Sequence, residues 1–256
     1  KPKVSSKLIR VGSLNDGGYV VPVDAVKQTK TLISFGLFDY WKFEKDFKKL
    51  SNCKVICYDN SVNLKFWIIR FIKNCYSILL FKNIKGNFKK LFTYLSYIFF
   101  FNNKDTVHYK KFIAPKNEFI FGINNSDKTD LDEIFSKNLY DKVFLKIDIE
   151  SNEYRILDQV IKNQEKINGL VIEFHDCDLH FDRINKFIKS FELDLVHIHV
   201  NNYSYINHLS NPAVIELTFC KKKYTHSVDL EKIEFPNRKF DAPNNKHEED
   251  QKILFY

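Results

Sequence analysis

The feature that most constrains this chain is an alternation of short apolar runs with amphipathic segments. Seven runs of five to seven residues are rich in the β-branched and aromatic side chains typical of strands: Thr31–Phe35, Lys54–Tyr58, Glu118–Gly122, Val143–Ile147, Gly169–Phe174, Leu195–Val200 and Ala213–Phe219. Between them, four segments place apolar residues three and four positions apart, as helices do: Phe43–Leu50, Thr129–Lys137, Asn152–Gln164 and His180–Phe191. This alternation predicts an α/β fold with a doubly wound, mostly parallel sheet and helices on both faces. Residues 201–212 are too few for a parallel crossover, so we expect the last two strands to pair antiparallel at one end of the sheet.

The length and composition fit one such domain. The chain has 256 residues, and the strand pattern runs through most of it, so we expect a single domain over residues 1–256. A hydrophobic content of 44% with 7 Gly and 6 Pro excludes disordered and collagen-like chains. The five cysteines are scattered and form no CxxC pair, which indicates reduced thiols and predicts a cytoplasmic protein. The sequence contains no run of 18 apolar residues, so it predicts no membrane-spanning helix.

The basic residues are concentrated in one stretch. The net charge is +8, yet between Leu64 and Phe101 seven Lys and Arg residues stand without any Asp or Glu, and outside this stretch 33 basic residues face 32 acidic ones. Eight of the 25 Phe lie there too. We predict a helical, basic and aromatic insert over residues 64–103, after the second strand. It either contacts a membrane surface, at the inner membrane, or packs its rings on the sheet while its lysines face water. Specific nucleic-acid binding is disfavoured because no RNA- or DNA-binding motif accompanies the charge.

Polar residues follow the predicted strands, at the sheet edge where ligands bind in this architecture. They are Gly36–Asp39, Asp59–Asn60, Asn124–Asp127, Asp148–Glu150 and His175–Asp176. Gly36 allows close approach of the backbone to a ligand, and Asp59 follows it by 23 residues, near the spacing of about 20 at which an acid meets ribose hydroxyls. The glycine pattern of a pyrophosphate loop is missing. These residues favour an adenosine ligand without phosphate, such as S-adenosylmethionine, although Asp59 alone is equally typical of a turn.

Acids and histidines cluster after three of these strands. Asp148 and Glu150 share one side if the strand conformation persists, and such close like charges favour a raised pKa, a cation or a bound hydroxyl group. A helix N-terminus is the alternative for Glu150. Further along, the candidates are Glu173, His175, His197, His199, Asn201 and Asn202. Each histidine is a candidate general base or a structural hydrogen-bond partner. Asp148, Glu173 and His175 are candidate ligands if a divalent metal is bound.

Several of these motifs resemble those of the FkbM-type methyltransferases. The matching segments are Arg10 with the motif at residues 15–22 (NDGGYVVP), residues 34–47 as the cofactor loop, Leu145–Tyr154 as the family signature, and the later motifs Glu173-Phe174-His175, His197-Ile198-His199, Asn201-Asn202-Tyr203 and Asp241-Ala242-Pro243-Asn244. The resemblance covers most of the chain outside residues 64–103. It implies a Rossmann-like, seven-stranded class I methyltransferase fold that uses S-adenosylmethionine to methylate hydroxyl groups of sugars and related natural products.

The resemblance also implies roles for individual residues. The cofactor would be held by Asp16, Gly18, Gly36, Asp39, Asp59, Asn60 and Asp148, with Gly36 and Asp39 at its methionine end and Asp59 at the ribose. The acceptor would meet Glu150, Glu173, Asn201 and Asn202, and the groups facing its hydroxyl would be His175, His199 and Asp148.

The chain departs from the family pattern at two positions. Ser151 stands where the signature usually has glycine, and Phe38 where the cofactor loop usually has a second glycine. A bulky residue where the backbone must come close to a ligand predicts obstruction of the cofactor or displacement of the loop. We therefore carry two expectations. The first is an O-methyltransferase acting on a nucleotide-sugar, capsule or other surface polysaccharide; the alternative is a catalytically degenerate module that binds a glycan, a lipid-linked sugar or a protein partner.

Overall fold

A seven-stranded sheet forms the centre of the fold. The computed structural model describes residues 2, 4–81, 84–137, 140–207, 211–227 and 234–253. The sheet strands in chain order are β1 (Thr31–Phe35), β2 (Lys54–Tyr58), β3 (Thr106–Tyr109), β4 (Val143–Ile147), β5 (Ile167–Phe174), β6 (Asp194–Val200) and β7 (Ile215–Cys220). The helices are α1 (Val23–Gln28), α2 (Lys42–Ser51), α3 (Leu64–Leu79), α4 (Ile84–Leu91), α5 (Thr93–Phe101), α6 (Leu131–Lys137), α7 (Leu157–Lys162) and α8 (Cys177–Ser190).

The strand order confirms the predicted fold class. It reads β6-β7-β5-β4-β1-β2-β3, with β7 antiparallel to both neighbours and the other pairings parallel. This is the Rossmann-like, mostly parallel sheet of a class I methyltransferase fold, and the expected antiparallel pair at one end is β6 with β7. From β1 the chain builds outward to β2 on one side, and β4 lies on the other. The topological switch point, where ligands bind in such sheets, is therefore between β1 and β4.

Burial on both faces of the sheet explains why the central strands could be predicted from the sequence. Every residue of β1, β4 and β5 is buried, which requires a nearly continuous apolar run. Ile33 and Leu145 belong to the core on one face of the sheet, while their neighbours Leu32 and Phe144 belong to the core on the other. Each such side chain stabilises the fold by about 1.5–3 kcal/mol. The predicted strands match β1, β2 and β4 to the residue, and the predicted helices correspond to α2, α6, α7 and α8.

The prediction of a third strand over residues 118–122 was wrong. Residues 118–122 form a turn and loop and not an extended strand, and Phe119 and Phe121 are 87% and 93% exposed. The third strand is β3, which pairs with β2 at the edge of the sheet. Its sequence, Thr-Val-His-Tyr, is only partly buried, so it lacks the apolar run of a central strand. As a consequence, Asn124–Asp127 follow no sheet strand.

Three helices fill the predicted insert between β2 and β3. Helices α3, α4 and α5 cover most of residues 64–101, so the expected helical insert is confirmed. Trp67 of α3 packs edge-on against Trp41, at 6.4 Å between ring centroids, and Tyr97 of α5 lies 5.8 Å from the same ring. Among the described residues, no helix is both long enough and apolar enough to cross a membrane.

Two further segments complete the sheet edge. An antiparallel hairpin pairs Leu8–Gly12 with Gly18–Pro22 and precedes α1. Residues 234–253 run without helix or strand. They pack onto the hairpin, where Asn15 Nδ2 donates to the carbonyl of Pro243 at 2.7 Å, and onto β7, where Asn244 Nδ2 donates to Glu216 at 2.9 Å. The turn of the hairpin and this tail are therefore in direct contact.

Candidate active site

A cleft of about 950 Å³ opens at the carboxyl ends of β1, β4 and β5. This volume is at the upper end of the range of about 300–1,000 Å³ that small-molecule sites occupy. Ten of the predicted site residues line it: Asp16, Gly36, Asp39, Asp59, Asn60, Asp148, Glu150, Glu173, His175 and Asn201. Residues from the N-terminal hairpin, four strand ends and the segment after β6 therefore meet in one place. Lys111–Ile113 take the position on the cleft wall that we expected for Asn124–Asp127.

Gly36 ends β1 in a left-handed conformation that only glycine adopts freely. Its φ is 80°, and a Cβ at this position would overlap the carbonyl oxygen of Asp148. The glycine is therefore required by the close approach of β4 and not only by a ligand. Phe38, two residues on, also has a positive φ of 47°. The loop keeps the path that a glycine would take, although a non-glycine residue in this conformation costs about 1–2 kcal/mol.

The ring of Phe38 points to the insert. It packs edge-on against Phe66 at 5.7 Å, and the Arg70 guanidinium lies 5.3 Å from its centroid. Arg70 also forms an ion pair with Asp39. The Asp39 carboxylate, predicted to meet the methionine end of a cofactor, is thus engaged by the insert at the rim of the cleft.

Asp59 at the end of β2 fastens the loop after β1. Its Oδ2 accepts hydrogen bonds from the amides of Leu37 and Phe38 at 2.8 and 2.9 Å, and its Oδ1 accepts from the amide and hydroxyl of Ser61. Burial alone would raise the pKa of Asp59, but these hydrogen bonds outweigh it and lower the pKa. A ribose hydroxyl that bonds to Asp59 must replace one of these donors, and the hydroxyl of Ser61 can rotate away.

Asp148 and Glu173 line the cleft and are joined by the buried Tyr19. The Tyr19 hydroxyl lies 2.9 Å from Asp148 Oδ2 and 2.9 Å from Glu173 Oε2. Asn201 donates to the other Glu173 oxygen at 2.8 Å. Burial first, and then the negative charges of Asp148 and Glu216, raise the pKa of Glu173 well above its usual range. A carboxyl group whose pKa is raised by burial and by neighbouring charges is a frequent feature of functional sites.

A buried lysine balances this negative charge. Lys146 of β4 donates to the carbonyl of Gly36 at 2.8 Å and lies 3.5 Å from Asp148 and 3.8 Å from Glu44. Burial lowers the pKa of Lys146, but the charges of Asp148 and Glu44 outweigh that effect and raise it. Glu44 is 1% exposed, accepts from the Ser34 hydroxyl at 2.7 Å through Oε1, and lines the cleft. Its Oε2 has no hydrogen-bond partner, so the cleft contains a buried carboxylate oxygen that can still accept a donor.

His175 stands at the cleft wall with a buried carboxylate behind it. Its Nδ1 lies 2.9 Å from Glu153 Oε1, which also accepts from the amide of Ile149 at 3.0 Å. Since that oxygen is an acceptor, we assign the proton to Nδ1, which leaves Nε2 on the side of Glu150, 3.6 Å away. Burial lowers the pKa of His175, but the hydrogen bond and charge of Glu153 raise it to about 9.

The turn that carries Glu150 has a backbone conformation that favours glycine. Glu150 and Ser151 have φ values of 53° and 70°, both in the left-handed region. Glycine enters this region at no steric penalty, and Ser151 compensates in part through a 2.5 Å hydrogen bond from its hydroxyl to Asp176. Ser151 is therefore accommodated in a turn where the sequence resemblance led us to expect glycine.

Four of the candidate residues do not line the cleft. His197 is buried, and its Nε2 lies 3.0 Å from Asp241. His199 is fully buried, and its nitrogens lie 3.3 Å from Glu216 and 3.0 Å from Asp250. Asn202 binds the tail, accepting from the amide of Asn245 at 2.7 Å. Gly18 lies in the N-terminal hairpin, where a Cβ would overlap the carbonyl oxygen of Ser13. Because none of these residues lines the cleft, the ligand contacts expected for them are corrected.

The predicted metal ligands are only partly brought together. The donor atoms of Asp148, Glu150 and His175 lie within 4.8 Å of one another, whereas Glu173 is outside this group because Tyr19 and Asn201 engage its oxygens. Lys146 already supplies a positive charge next to Asp148. We assign no metal here.

Four residues of the site were missed by the sequence reasoning. Tyr19 was seen only as part of a motif, and Lys146, Glu44 and Glu153 were given no role in the site. Two signals were present: Lys146 interrupts an otherwise apolar strand, and Glu44 stands on the apolar side of α2 beside Phe43 and Phe47. A charged residue in such a position is almost never fully buried without a partner.

Comparisons with known proteins add little at this point. No protein-family model matches the chain, and no curated protein matches it. Among solved structures it is similar to M. capricolum TrmK in complex with S-adenosyl-homocysteine (11% identity, 86% of this chain and 74% of that one, TM-score 0.39). It is also similar to a precorrin-6y C5,15-methyltransferase from Geobacter metallireducens (13%, 78% and 85%, 0.35) and to an rRNA methylase from Streptococcus thermophilus (8%, 78% and 92%, 0.38). At these identities and TM-scores the similarities assign neither family nor substrate.

Proposed function

We propose that this protein is an S-adenosylmethionine-dependent methyltransferase that methylates a hydroxyl group of a sugar or glycan acceptor. One observation carries the proposal. A single cleft at the switch point of the sheet joins a glycine turn and a strand-end acid, suited to a nucleoside, to a buried cluster of carboxylates and a histidine, suited to a hydroxyl group. The sugar acceptor and the FkbM family are inferred from the motifs alone.

The free oxygen of Glu44 provides a test of fit for the cofactor. The amino-acid end of S-adenosylmethionine carries an ammonium group, and Glu44 Oε2 is a buried acceptor without a partner in the same cleft. Gly36 and Asp59 line the cleft as well, and Asp59 would meet the ribose by exchanging its bond to Ser61. Residues for both polar ends of the cofactor are therefore present. When bound, the cofactor supplies an electrophilic methyl group.

The chain itself supplies orientation and a proton acceptor. His175 is held by Glu153 with its Nε2 on the cleft side, and we propose that Nε2 takes the proton of the acceptor hydroxyl. Asp148 is fixed by Tyr19 and Lys146, so its remaining lone pairs can orient the same hydroxyl. Glu150 and Asn201 stand where further acceptor hydroxyls would bind.

Calorimetry with three ligands tests the cofactor site. S-adenosylmethionine, S-adenosyl-homocysteine and adenosine are titrated into the wild type, Glu44→Gln and Asp59→Asn. We expect Glu44→Gln to weaken both amino-acid-bearing ligands by about tenfold or more and to leave adenosine unchanged, because adenosine lacks the ammonium group. Asp59→Asn should weaken all three. Equal losses for adenosine and the two larger ligands in Glu44→Gln would remove Glu44 from the binding site.

A second experiment tests the reaction. The protein and S-adenosylmethionine are incubated with nucleotide-sugars or with extracted surface glycans, and the products are screened by mass spectrometry for the gain of one methylene group. Cofactor binding without such a gain on any saccharide, but with a gain on RNA, would exclude the sugar acceptor and retain the methyltransferase. Absence of cofactor binding would favour the alternative, a degenerate module that binds a glycan, a lipid-linked sugar or a protein, which the intramolecular bonds of Asp59 and Asp39 motivate.

We propose a cytoplasmic location, which fractionation of cells would test.

A further inference from the structure

The outer side of α3 carries an apolar stripe that faces solvent. Leu64, Ile68, Phe71, Ile72 and Leu79 follow each other at intervals of four, three, one and seven positions, so they share one side of the helix. They are between 49% and 75% exposed. The helix has its apolar stripe turned to water, whereas a helix that only covers a sheet turns that stripe inward.

The rest of the insert extends this apolar surface. Phe88 and Phe92, followed by Leu95 and Phe99, continue the three- and four-residue spacing through α4 and α5, and Phe99 is 81% exposed. Sixteen of the 28 exposed large hydrophobic side chains among the described residues belong to residues 64–101. An apolar surface of this density marks an interaction site, because isolated exposed apolar residues are normal and clustered ones are not.

The charges of the same surface are all positive. Lys65, Lys73, Lys85 and Lys90 are exposed, and in the part of the chain that the structure describes none of them pairs with an acid. Arg70 is different, since it is half-buried and pairs with Asp39. The partner of this surface must therefore offer both anions and a medium for aliphatic side chains.

We propose that helices α3–α5 lie in the surface of an anionic lipid bilayer. The lysines would meet lipid phosphates while the Leu, Ile and Phe side chains enter the boundary between headgroups and acyl chains. A second copy of the chain fits less well, because a two-fold contact would bring lysines against lysines with no acid to pair them. Single-stranded nucleic acid could stack on the rings, but it would leave Ile68, Ile72 and Leu79 in water.

This surface is connected to the cleft. The Arg70–Asp39 ion pair and the contact between Trp67 and Trp41 attach α3 to the loop after β1, whose residues Asp39 and Tyr40 line the cleft. A bilayer that holds α3 would hold the cleft near its surface. The inference does not depend on the proposed methyl transfer.

Vesicle flotation tests the proposal with matched variants. The full chain is mixed with vesicles of phosphatidylcholine, with and without phosphatidylglycerol. The test variant is Ile68→Ser with Phe71→Ser and Leu79→Ser. Its control is Phe119→Ser with Phe121→Ser and Leu179→Ser, three apolar residues elsewhere that are at least as exposed. A charge variant, Lys65→Gln with Lys73→Gln, is compared with Lys186→Gln and Lys189→Gln on α8. All of these positions are exposed, and circular dichroism with thermal melts establishes that each variant folds.

The expected result is strong flotation with the anionic vesicles only. The apolar test variant should lower the partition coefficient by about tenfold or more and the charge variant by about fivefold for each lysine, while both controls bind as the wild type does. The proposal is overturned if the wild type does not float, or if test and control variants lose binding equally. It is also overturned if the surface instead mediates dimers seen by sedimentation velocity, or binds single-stranded RNA and not vesicles.

Discussion

His175 and His199 both lie near the carboxyl ends of sheet strands and both have carboxylates around them. Only His175 lines the cleft. His175 follows β5, one strand away from the switch point between β1 and β4. Glu153 lies at one of its nitrogens, and the His175 ring lines the cleft. His199 lies on β6, two strands further out, and Glu216 and Asp250 enclose it on both sides. The same sequence signal therefore gives a histidine that lines the cleft in one place and a buried ion pair in the other. Distance from the switch point and cover by the tail make the difference.

The largest effect that separates the two histidines is on turnover. We expect His175→Asn to lower kcat by about 100-fold or more and to leave the affinity for S-adenosyl-homocysteine nearly unchanged, because the general base is lost and the cofactor contacts remain. His199→Asn should retain kcat within about threefold once folded. Initial rates with the acceptor found in the glycan screen measure both. Equal losses of turnover in the two variants would mean that neither histidine takes the proton.

For stability, we expect the larger effect at His199 and the smaller one at His175. His199→Gln should lower the free energy of unfolding by about 3 kcal/mol, since two buried carboxylates lose their cation, whereas His175→Gln should lower it by about 1 kcal/mol. The pKa of His199 is raised to about 10, because the hydrogen bonds to Asp250 and Glu216 outweigh the effect of burial. Its contribution is thus complete below the unfolded-state pKa of about 6.5 and is lost as pH rises to 10. Urea unfolding at pH 6, 8 and 10 should show the variant and the wild type converging.

The pH dependence of turnover sharpens the role of Glu153. If neutral His175 is the base, kcat should increase by about tenfold per pH unit up to a plateau near pH 9, the pKa that Glu153 sets. Glu153→Gln keeps an acceptor for Nδ1 but removes the charge, so the inflection should move toward 6.5. An inflection that stays near 9 in this variant would assign the titration to another group.

The smallest effect concerns the turn beside His175. Ser151→Gly removes the strain of a positive φ and also the hydrogen bond to Asp176, so stability should change by less than about 1 kcal/mol. Ser151→Val keeps the strain and loses the bond, and should destabilise by about 2 kcal/mol. Chemical denaturation of the two variants measures the difference. A loss of the same size in both would mean that the backbone conformation carries no strain.

Sequence reasoning was reliable where burial alone decides the pattern. Strands β1, β2 and β4 were placed to the residue because their side chains are almost all buried, and the rule that ligands bind at the carboxyl edge brought ten candidates into one cleft. Edge strand β3 was missed because it is half exposed. In the site, the sequence around a histidine at the end of a strand does not show which residues will bury it. Asp250, which contacts His199, is 51 positions away in the sequence. The contacts of Tyr19 with Asp148 and Glu173 span 129 and 154 positions, beyond any local pattern.

The joining of the N-terminal hairpin to the tail has a consequence for biosynthesis. Asn15 and Pro243 are 228 positions apart, and Asp16 meets Asn244 over the same separation. These contacts fix the hairpin that carries Tyr19, and they form only after residues 240–245 have left the ribosome. Strands β1, β2, β4 and β5 precede this segment in the sequence and can pair before it emerges, so we expect the hairpin side of the cleft to be fixed after the central sheet.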